Sequence, residues 1–591
     1  MKMELFLSVI LMIAGACALG ACDGGGNGED GGETDGIVDD VPADGDAAGD
    51  PDGAGDPDGA ADPDATGDPD APIDLIELPD TFVEPDVTVD GEVTFTIRSD
   101  SPVGPISPYI YGSNFPDLAG TGRHLTLVRM GGNRLTAYNW ETNASNAGSD
   151  WVFNNDGYLG GGETPGEAAR LPAQEAFDAG ASIILTVPIV DYVAGDKDGP
   201  VDTGDPDRFA ERFEENRPVK GSAFTLTPDI ADGFVYQDEF VNWLQSTFPT
   251  AMTDPARTIF YDMDNEPDLW SSTHVEVHPD PVTYVELADR TATYAAAVKS
   301  VQPEAKVFGF VSYGWNGFVT LQDAPDADLY GDFIDFFLDR MREAETEGGT
   351  RLVDVLDLHW YSEAYGGGVR ITEDNNSTEV VAARLQAPRS LWDDGYTEDS
   401  WIAEWSTMGP IRLIPRLKEK IAAHYPGTLL CFSEYNHGGE NHISGAVAEA
   451  DVLGIFGREG VFAATVWPLR ESTDFLYGAF AMYRNYDGAG AAFGDIAVSA
   501  ETSDVEGTSV YASLDSGDLG RLILVAINKT ASPVTAAVSV THTTALGRAR
   551  VYQLTEASPT PAAAPEITFP GVNAFAYEMP AMSVSTLVLL P

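Results

Sequence analysis

The sequence predicts an α/β fold, a TIM-like (β/α)8 barrel joined to a second, smaller all-β sandwich domain. Between residues 90 and 490, apolar runs that end in polar or aromatic residues alternate with amphipathic segments, as strands and helices do in such barrels. After residue 500 the apolar runs are short and separated only by turns, which is typical of an antiparallel sandwich. A doubly wound sheet is the alternative for the first part, but we find no glycine-rich phosphate loop.

Six apolar runs are predicted to be barrel strands with polar loops behind them, and the amphipathic segment 332–345 is predicted to be one of the helices between them. An earlier alternating segment, EVTFTIRSD (92–100), begins the folded part and could pair into the sandwich instead of the barrel. The six runs lie at 181–199, 258–270, 306–318, 353–364, 428–439 and 462–472.

Five short segments near the end of the chain are predicted to be sandwich strands, at 508–516, 521–530, 534–543, 549–556 and 584–591. Together these patterns divide the chain into four parts. We predict a signal peptide at 1–22, a disordered acidic linker at 23–90, the barrel at 91–495 and the sandwich at 496–591.

The first 22 residues are typical of a bacterial lipoprotein leader. Lys2 precedes a short apolar segment, Leu5 to Ala16, that is too short to span a bilayer as a helix. Leu19-Gly20-Ala21-Cys22 then resembles a lipobox, which predicts lipidation of Cys22. An ordinary secretory signal is the alternative. Either leader predicts export, and the lipobox predicts a cell-surface or periplasmic lipoprotein anchored through Cys22, with the outer membrane as one location.

The linker is rich in Asp, Gly, Pro and Ala and repeats motifs such as GDPDGA every six residues. Because this repeat has no apolar position, it cannot build a core, and charge repulsion keeps it extended. Calcium binding is the alternative, but the EF-hand's closing glutamate is missing. A surface tether is the better interpretation.

Composition excludes several function classes. The formal net charge of −63 excludes a general nucleic-acid binder, because phosphate would be repelled. The three cysteines are Cys17, Cys22 and Cys431, so the body of the chain has no disulfide framework and no CxxC metal site. A monomer is expected by default.

Two glutamates are the candidate catalytic pair. Glu266, in YDMDNEPDLW (261–270), ends one predicted strand, and Glu434 ends another 168 residues later. In barrels of this kind, the carboxyl ends of the strands face the active site. Two carboxyl groups at one barrel mouth are what glycosidic cleavage requires, one as acid and one as nucleophile.

Neighbouring residues are candidate substrate contacts, because amides bind sugar hydroxyls and aromatic rings pack on the apolar faces of sugars. They are Asn265, His359, Trp360, Tyr361, Tyr435 and Trp467. His274, Glu276 and His278 raise the possibility of a metal site, but their spacing is not HExxH and Pro279 argues against a helix. No metal ligands are therefore assigned.

The stretch VRMGGNRLTAYNWETNASNAGSDW (128–151) closely resembles the signature of glycoside hydrolase family 44. YGSNF (111–115), DYVAGDK (191–197), VSYGWNGF (311–318) and SEYNHGG (433–439) are further matches. The resemblance covers residues 92–590. We also assign Asn133 and Trp140, within the signature stretch, to substrate binding.

This resemblance implies a barrel with a sandwich and retaining, endo-acting hydrolysis of β-1,4-glucans such as xyloglucan, cellulose derivatives and mixed-linkage glucan. It places Glu266 as acid/base and Glu434 as nucleophile. It implies no required cofactor and allows a structural calcium ion. The alternatives are a β-mannanase or xylanase on a related barrel, or a non-catalytic surface lipoprotein that binds polysaccharide.

Overall fold

The computed structural model describes residues 81–120, 122 and 124–591. The predicted signal peptide, the lipidation site Cys22 and the linker up to residue 80 lie outside the described residues. Within that described part, no helix is both long and apolar enough to cross a membrane.

The barrel has eight short, buried strands, which follow a longer first strand, β1 (Val93–Pro105). They are β2 (Gly112–Asn114), β3 (Leu127–Met130), β4 (Ser182–Val187), β5 (Ile259–Met263), β6 (Val307–Ser312), β7 (Val355–Tyr361), β8 (Leu429–Asn436) and β9 (Ala463–Val466).

These eight strands are parallel and close in the order β5-β6-β7-β8-β9-β2-β3-β4, with β4 paired to β5. Their residues are almost all buried, because side chains fill the inside of such a barrel and helices cover the outside. The predicted barrel is therefore confirmed. Strands β2 and β3 are missing from the six predicted runs, because three or four residues are too few to show a period.

Eight helices of nine residues or more accompany the strands in the described chain. They are α1 (Glu167–Ala179), α2 (Gln237–Thr247), α3 (Tyr284–Val301), α4 (Phe333–Gly348), α5 (Thr378–Gln386), α6 (Leu413–His424), α7 (Ile443–Glu459) and α8 (Asp474–Arg484). Helix α4 corresponds to the predicted amphipathic segment: Asp332 caps its first turn, and Phe333, Phe337 and Met341 are among its buried residues.

Short helical turns and strands lie in the connections between these elements. The turns are Pro108–Ile110, Asn133–Thr136, Gly148–Trp151, Arg208–Arg212, Pro267–Leu269, Trp270–Thr273, Trp315–Thr320, Ala327–Tyr330, Ala387–Leu391 and Ile402–Ser406. The strands are Ser145–Asn146, Asn154–Asp156, Tyr192–Ala194, Gly199–Pro200, Phe213–Arg217, Phe234–Tyr236, Tyr365–Gly366 and Val369–Arg370.

The sandwich contains β1 and eight strands from the end of the chain. These are β10 (Ile496–Thr502), β11 (Thr508–Asp515), β12 (Asp518–Asn528), β13 (Val534–Thr541), β14 (Arg548–Thr555), β15 (Ser558–Thr568), β16 (Ala574–Met579) and β17 (Ser583–Leu590). The nine strands follow the order β15-β14-β17-β12-β11-β10-β1-β13-β16.

The first strand belongs to the sandwich and not to the barrel, as its sequence allowed. Strand β1 pairs antiparallel with β10 and parallel with β13. Apolar side chains from strands along the whole sheet, from Phe575 in β16 to Val551 in β14, pack in one core. Strand β15, which carries three prolines, lies at an edge of the sheet, where proline is tolerated because one side needs no partner.

The sandwich packs directly against helices α7 and α8 of the barrel. Gly454 of α7 leaves room for the ring of Tyr511, because a Cβ at this glycine would lie 2.2 Å from that ring. The Tyr511 hydroxyl donates to Asp451 at 2.6 Å, and Lys529 lies 2.7 Å from the same buried carboxylate. The barrel and the sandwich therefore form one compact unit.

Candidate active site

Glu266 and Glu434 both lie at the carboxyl end of the barrel. Glu434 lies near the end of β8, where it is paired with His359 of β7. Glu266 lies three residues beyond the end of β5. The two glutamates come from strands that are three places apart around the closed barrel, so they face each other across its mouth.

The backbone around Glu266 adopts an unusual conformation. Asp264 and Glu266 have φ values of 70° and 45°, in the left-handed region that non-glycine residues rarely adopt. The Glu266 N–H donates to the carbonyl of Val311 at 3.0 Å, which ties the turn to β6. Pro267 then begins a short 3-10 turn, where its missing N–H costs nothing. The turn aims the Glu266 side chain at the barrel axis.

The carboxyl groups of the pair lie close together. One oxygen of Glu266, one oxygen of Glu434 and a ring nitrogen of His359 all lie within 4.8 Å of one another. His359 Nδ1 lies 2.9 Å from Glu266 Oε1 and 3.6 Å from Glu434 Oε2. The side chain of Glu266 is 14% exposed and that of Glu434 is 7% exposed, so both open to the cleft but are largely out of water.

Two hydrogen-bond donors hold the Glu434 carboxylate. Arg129 Nη1 donates to Oε1 at 2.7 Å, and the Tyr361 hydroxyl donates to Oε2 at 2.6 Å. Both distances are short, as expected for charge-assisted hydrogen bonds. These two contacts therefore fix the Glu434 carboxylate in one orientation.

Arg129 organises the floor of the site from a fully buried position on β3. Burial works to lower the pKa of Arg129, but the carboxylates of Asp262 and Glu434 outweigh it and raise the pKa. Its Nε donates to Asp262 at 2.9 Å and its Nη2 to Asn265 at 2.9 Å. Gly131 is required beside it, because a Cβ there would lie 2.2 Å from the guanidinium carbon.

Burial sets opposite protonation states for Glu266 and its neighbours. It raises the pKa of Glu266 to about 8, against the lowering effect of Arg129 and with a smaller contribution from Asp150. Burial also lowers the pKa of His359 to about 3, although the Glu434 charge opposes this. At neutral pH, Glu266 is therefore a protonated acid beside a neutral imidazole.

Comparisons with known proteins identify the family. The model of glycoside hydrolase family 44 matches residues 144–364. The chain is 42% identical over 514 residues to endoglucanase A of Paenibacillus lautus, covering 84% of this chain and 72% of that protein. The chain belongs to glycoside hydrolase family 44. It is an endo-acting glycoside hydrolase, and its substrate is a glucan.

Two further relatives are similar over most of this chain. The structure of a Paenibacillus polymyxa family 44 xyloglucanase with xyloglucan superposes with a TM-score of 0.80 at 39% identity, covering 84% of this chain and 99% of that one. A β-mannanase/endoglucanase A of Caldicellulosiruptor saccharolyticus is 41% identical over 497 residues, which are 79% of this chain and 36% of that protein.

Asn265 lies beside the pair in this family 44 site. Its Oδ1 accepts from Arg129 Nη2 and from the Gly132 N–H at 3.1 Å. Because both partners are donors, the amide orientation is fixed. The Nδ2 group is therefore left as a donor to a ligand in the cleft.

Trp467 is the predicted aromatic residue whose position best fits sugar stacking. It is partly exposed just beyond β9 and packs edge-on against Phe115, with 5.7 Å between ring centres. Gly132 lies next to Trp467. Its φ is +86°, and a Cβ at this position would lie 3.0 Å from the indole. In the Gly-Gly pair of the signature stretch, the first glycine thus leaves room for Arg129 and the second leaves room for Trp467.

Three predicted substrate contacts are wrong, because their side chains are buried away from the cleft. Trp140 is fully buried, stacks on Phe240 of α2 and donates from Nε1 to the Tyr236 carbonyl. Trp360 and Tyr435 lie in strands, where successive side chains point to opposite faces. Their neighbours His359, Tyr361 and Glu434 face the cleft, so these two face the surrounding helices.

Asn133 is partly exposed, and its Nδ2 donates to Asp150 at 2.9 Å, so its assignment to substrate binding stays a prediction. Asp150 in turn contributes to the pKa of Glu266. Arg129 is not among the predicted site residues, although an arginine inside a buried apolar strand indicates a functional role. Three exposed rings in the loops are also absent from the prediction: Phe115, Trp151 and Trp405 are 48%, 49% and 72% exposed.

The histidines considered as metal ligands pair with carboxylates instead. His274 Nδ1 lies 2.8 Å from Glu276, whereas His278 Nε2 lies 3.0 Å from Glu286. In the described part of the chain, the only converging group of three potential ligands is Glu266, His359 and Glu434. The predicted structural calcium stays a prediction, without assigned ligands.

Proposed function

We propose that this enzyme cleaves the β-1,4-glucan backbone with retention of configuration, by double displacement at Glu266 and Glu434. The approach of the two carboxyl groups to within 4.8 Å supports this proposal. Retaining enzymes hold their carboxyl groups about 5–5.5 Å apart, whereas inverting enzymes leave about 6.5–9.5 Å for a water molecule between acid and base.

In the first step, the Glu434 carboxylate attacks the anomeric carbon. The bond from that carbon to the glycosidic oxygen breaks as the bond to Glu434 forms, and Glu266 gives its proton to the departing oxygen. The Asn265 Nδ2 group is placed to bind the 2-hydroxyl of the same sugar, where contacts strengthen in the transition state. Arg129 and Tyr361 keep the attacking oxygens aligned.

In the second step, Glu266 is ionised and takes a proton from water. The water oxygen bonds to the anomeric carbon while the ester bond to Glu434 breaks, which restores both groups to their starting states. His359 helps in both steps, because a neutral imidazole with its proton on Nδ1 donates to Glu266 Oε1 and leaves Oε2 to carry the transferred proton. Such acid–base catalysis contributes about 10²–10⁴-fold to the rate.

We assign xyloglucan, cellulose derivatives and mixed-linkage glucan as the substrates, without ranking them. The P. polymyxa relative is called a xyloglucanase and the P. lautus relative an endoglucanase, which supports this range. The name β-mannanase/endoglucanase makes a β-mannanase the alternative worth testing, along with a xylanase. We further propose that the chain acts as a monomer, exported and anchored to the membrane by lipid on Cys22.

The decisive experiment follows the anomeric configuration of fresh product by proton NMR during cleavage of a soluble glucan. Retention gives the β anomer first, and appearance of the α anomer first would refute the mechanism. The Glu266→Gln and Glu434→Gln variants should each lose at least about 10²-fold in kcat. Glu398→Gln is the matched control, because Glu398 is also buried but bonds to Ser390. It should keep near-normal activity.

A further inference from the structure

A second concave site lies away from the catalytic pair. A groove of about 570 Å³ runs along the seam where helix α7 meets strands β10 and β11 of the sandwich. It contains none of the residues that touch Glu266 or Glu434. Its volume falls within the range of about 300–1,000 Å³ that small-ligand sites occupy.

One wall of the groove is aromatic and rigid. Trp392 is partly exposed there, and the Arg458 guanidinium carbon lies 4.1 Å from the centre of its ring system. Tyr511 forms part of the floor, where its hydroxyl is fixed by Asp451 and its ring is packed against Gly454. Little conformational entropy remains to be lost when a ligand packs on these rings.

Both cations of the groove, Arg458 and Lys529, are paired with carboxylates. Arg458 Nε lies 3.0 Å from Glu459 Oε1, and Lys529 is paired with the buried Asp451. An anion therefore finds no unpaired cation in the groove, and the net charge of −63 on the whole chain further disfavours an anionic ligand. The exposed carboxylate of Glu501 also lines the groove and can accept hydrogen bonds from hydroxyl groups. An uncharged ligand with hydroxyl groups fits this surface.

Hydroxyl groups and exposed carbon complete the lining. Ser499 and Ser509 carry hydroxyls on the two strands, and Ser499 Oγ makes no hydrogen bond within the described chain. Val103 and Val505, which are 50% and 39% exposed, also line the groove. An uncharged molecule that offers many hydroxyls and a flat apolar face matches this combination, and a glucose unit in a β-1,4-linked chain is such a molecule.

We infer that the groove is a second, non-catalytic binding site for a short segment of β-glucan. The inference rests on the proposed β-glucan specificity. A polymer held in this groove remains near the cleft after each cut, so the effective concentration of backbone at the catalytic pair rises without any new contact there. The sandwich would then contribute to substrate capture as well as to stability.

The test is calorimetric titration of cellotetraose, to millimolar concentration, into the full chain carrying Glu434→Gln, after confirming that this protein no longer cleaves the probe. We expect two binding events per chain, one in the cleft and one in the groove. Adding Trp392→Ala should remove one event, and Trp392→Phe should retain it. Ser499→Tyr fills the groove without touching the aromatic wall and should also leave one event. Arg550→Ala, an exposed change elsewhere on the sandwich, should leave two.

A single event in the Glu434→Gln protein would overturn the inference, and so would two events in the folded Ser499→Tyr variant. Circular dichroism checks that each variant is folded. If Trp392→Ala does not fold, the Ser499→Tyr variant decides the test. The groove substitutions are also made in the enzyme that retains Glu434. Loss of the groove event together with normal cleavage by that enzyme distinguishes this proposal from the catalytic one. If Glu434→Gln still cleaves cellotetraose, the catalytic assignment fails instead, and the titration is repeated with Glu266→Gln.

Discussion

The protonation state of Glu266 gives the most demanding prediction. Burial raises its pKa to about 8, so the group is about 99% protonated at pH 6 and about 9% protonated at pH 9. If this proton is the one transferred to the leaving oxygen, kcat/KM on a polymeric glucan should fall about tenfold between these two pH values. The fall should follow a single ionisation, because kcat/KM reports the free enzyme.

The assay compares a polymer with an aryl cellobioside whose dinitrophenolate leaves without protonation. In the steady state, kcat/KM is limited by formation of the glycosyl-enzyme. As Glu266 ionises, kcat/KM should therefore fall for the polymer but not for the aryl substrate. Glu266→Gln should lower kcat/KM on the polymer about 10²–10⁴-fold at pH 6 and should abolish the fall above pH 8. The aryl substrate should lose far less.

Two results would refute this reasoning. The first is an equal loss for both substrates between pH 6 and pH 9, which would indicate a change in the protein and not in the acid. The second is a polymer rate that holds constant to pH 9.5. Circular dichroism at each pH serves as the control, because alkaline unfolding would imitate the first result.

Three further predictions concern the nucleophile, a buried acid and a glycine. Glu434→Ala should be partly rescued by azide, which fits the space of the lost carboxylate and should give an α-glycosyl azide; no azide product would contradict the nucleophile role. Burial raises the pKa of Glu449, which accepts from Tyr435, to about 8, so the folded state holds a proton that the unfolded chain loses above pH 4.5, and stability falls as pH rises between these values. In Glu449→Gln this pH-dependent loss of unfolding free energy, at most about 5 kcal/mol, should disappear. Thermal unfolding at pH 5 and pH 8 checks this, and the same pH dependence in the variant would show that Glu449 is not its source. The main effect of Gly132→Ala should be a rise in KM and not a fall in the melting temperature, because the added Cβ presses on Trp467. Kinetics and thermal unfolding measured on the same variant separate the two effects, and an unchanged KM would contradict the prediction.

Local patterns were enough to predict most of the fold. Buried parallel strands appear as continuous apolar runs, and such runs located β4 to β9 together with the polar residues at their ends. The shortest strands, β2 and β3, gave no period, and β15 was hidden by prolines that only an edge position tolerates. Pairing partners lie outside any local window. The assignment of β1 to the sandwich therefore required the tertiary structure.

The sequence by itself determined which residues are available for chemistry: Glu266 and Glu434 at strand ends, beside an amide and several rings. It could not determine which rings face the cleft, because Trp360 and Tyr435 differ from Tyr361 only in the strand face on which they lie. Only the tertiary structure brought Arg129 from β3 to Glu434 and excluded water around Glu266. The depth of burial raises the pKa of Glu266, and contacts between distant strands orient Glu434. Both are properties of the closed barrel as a whole.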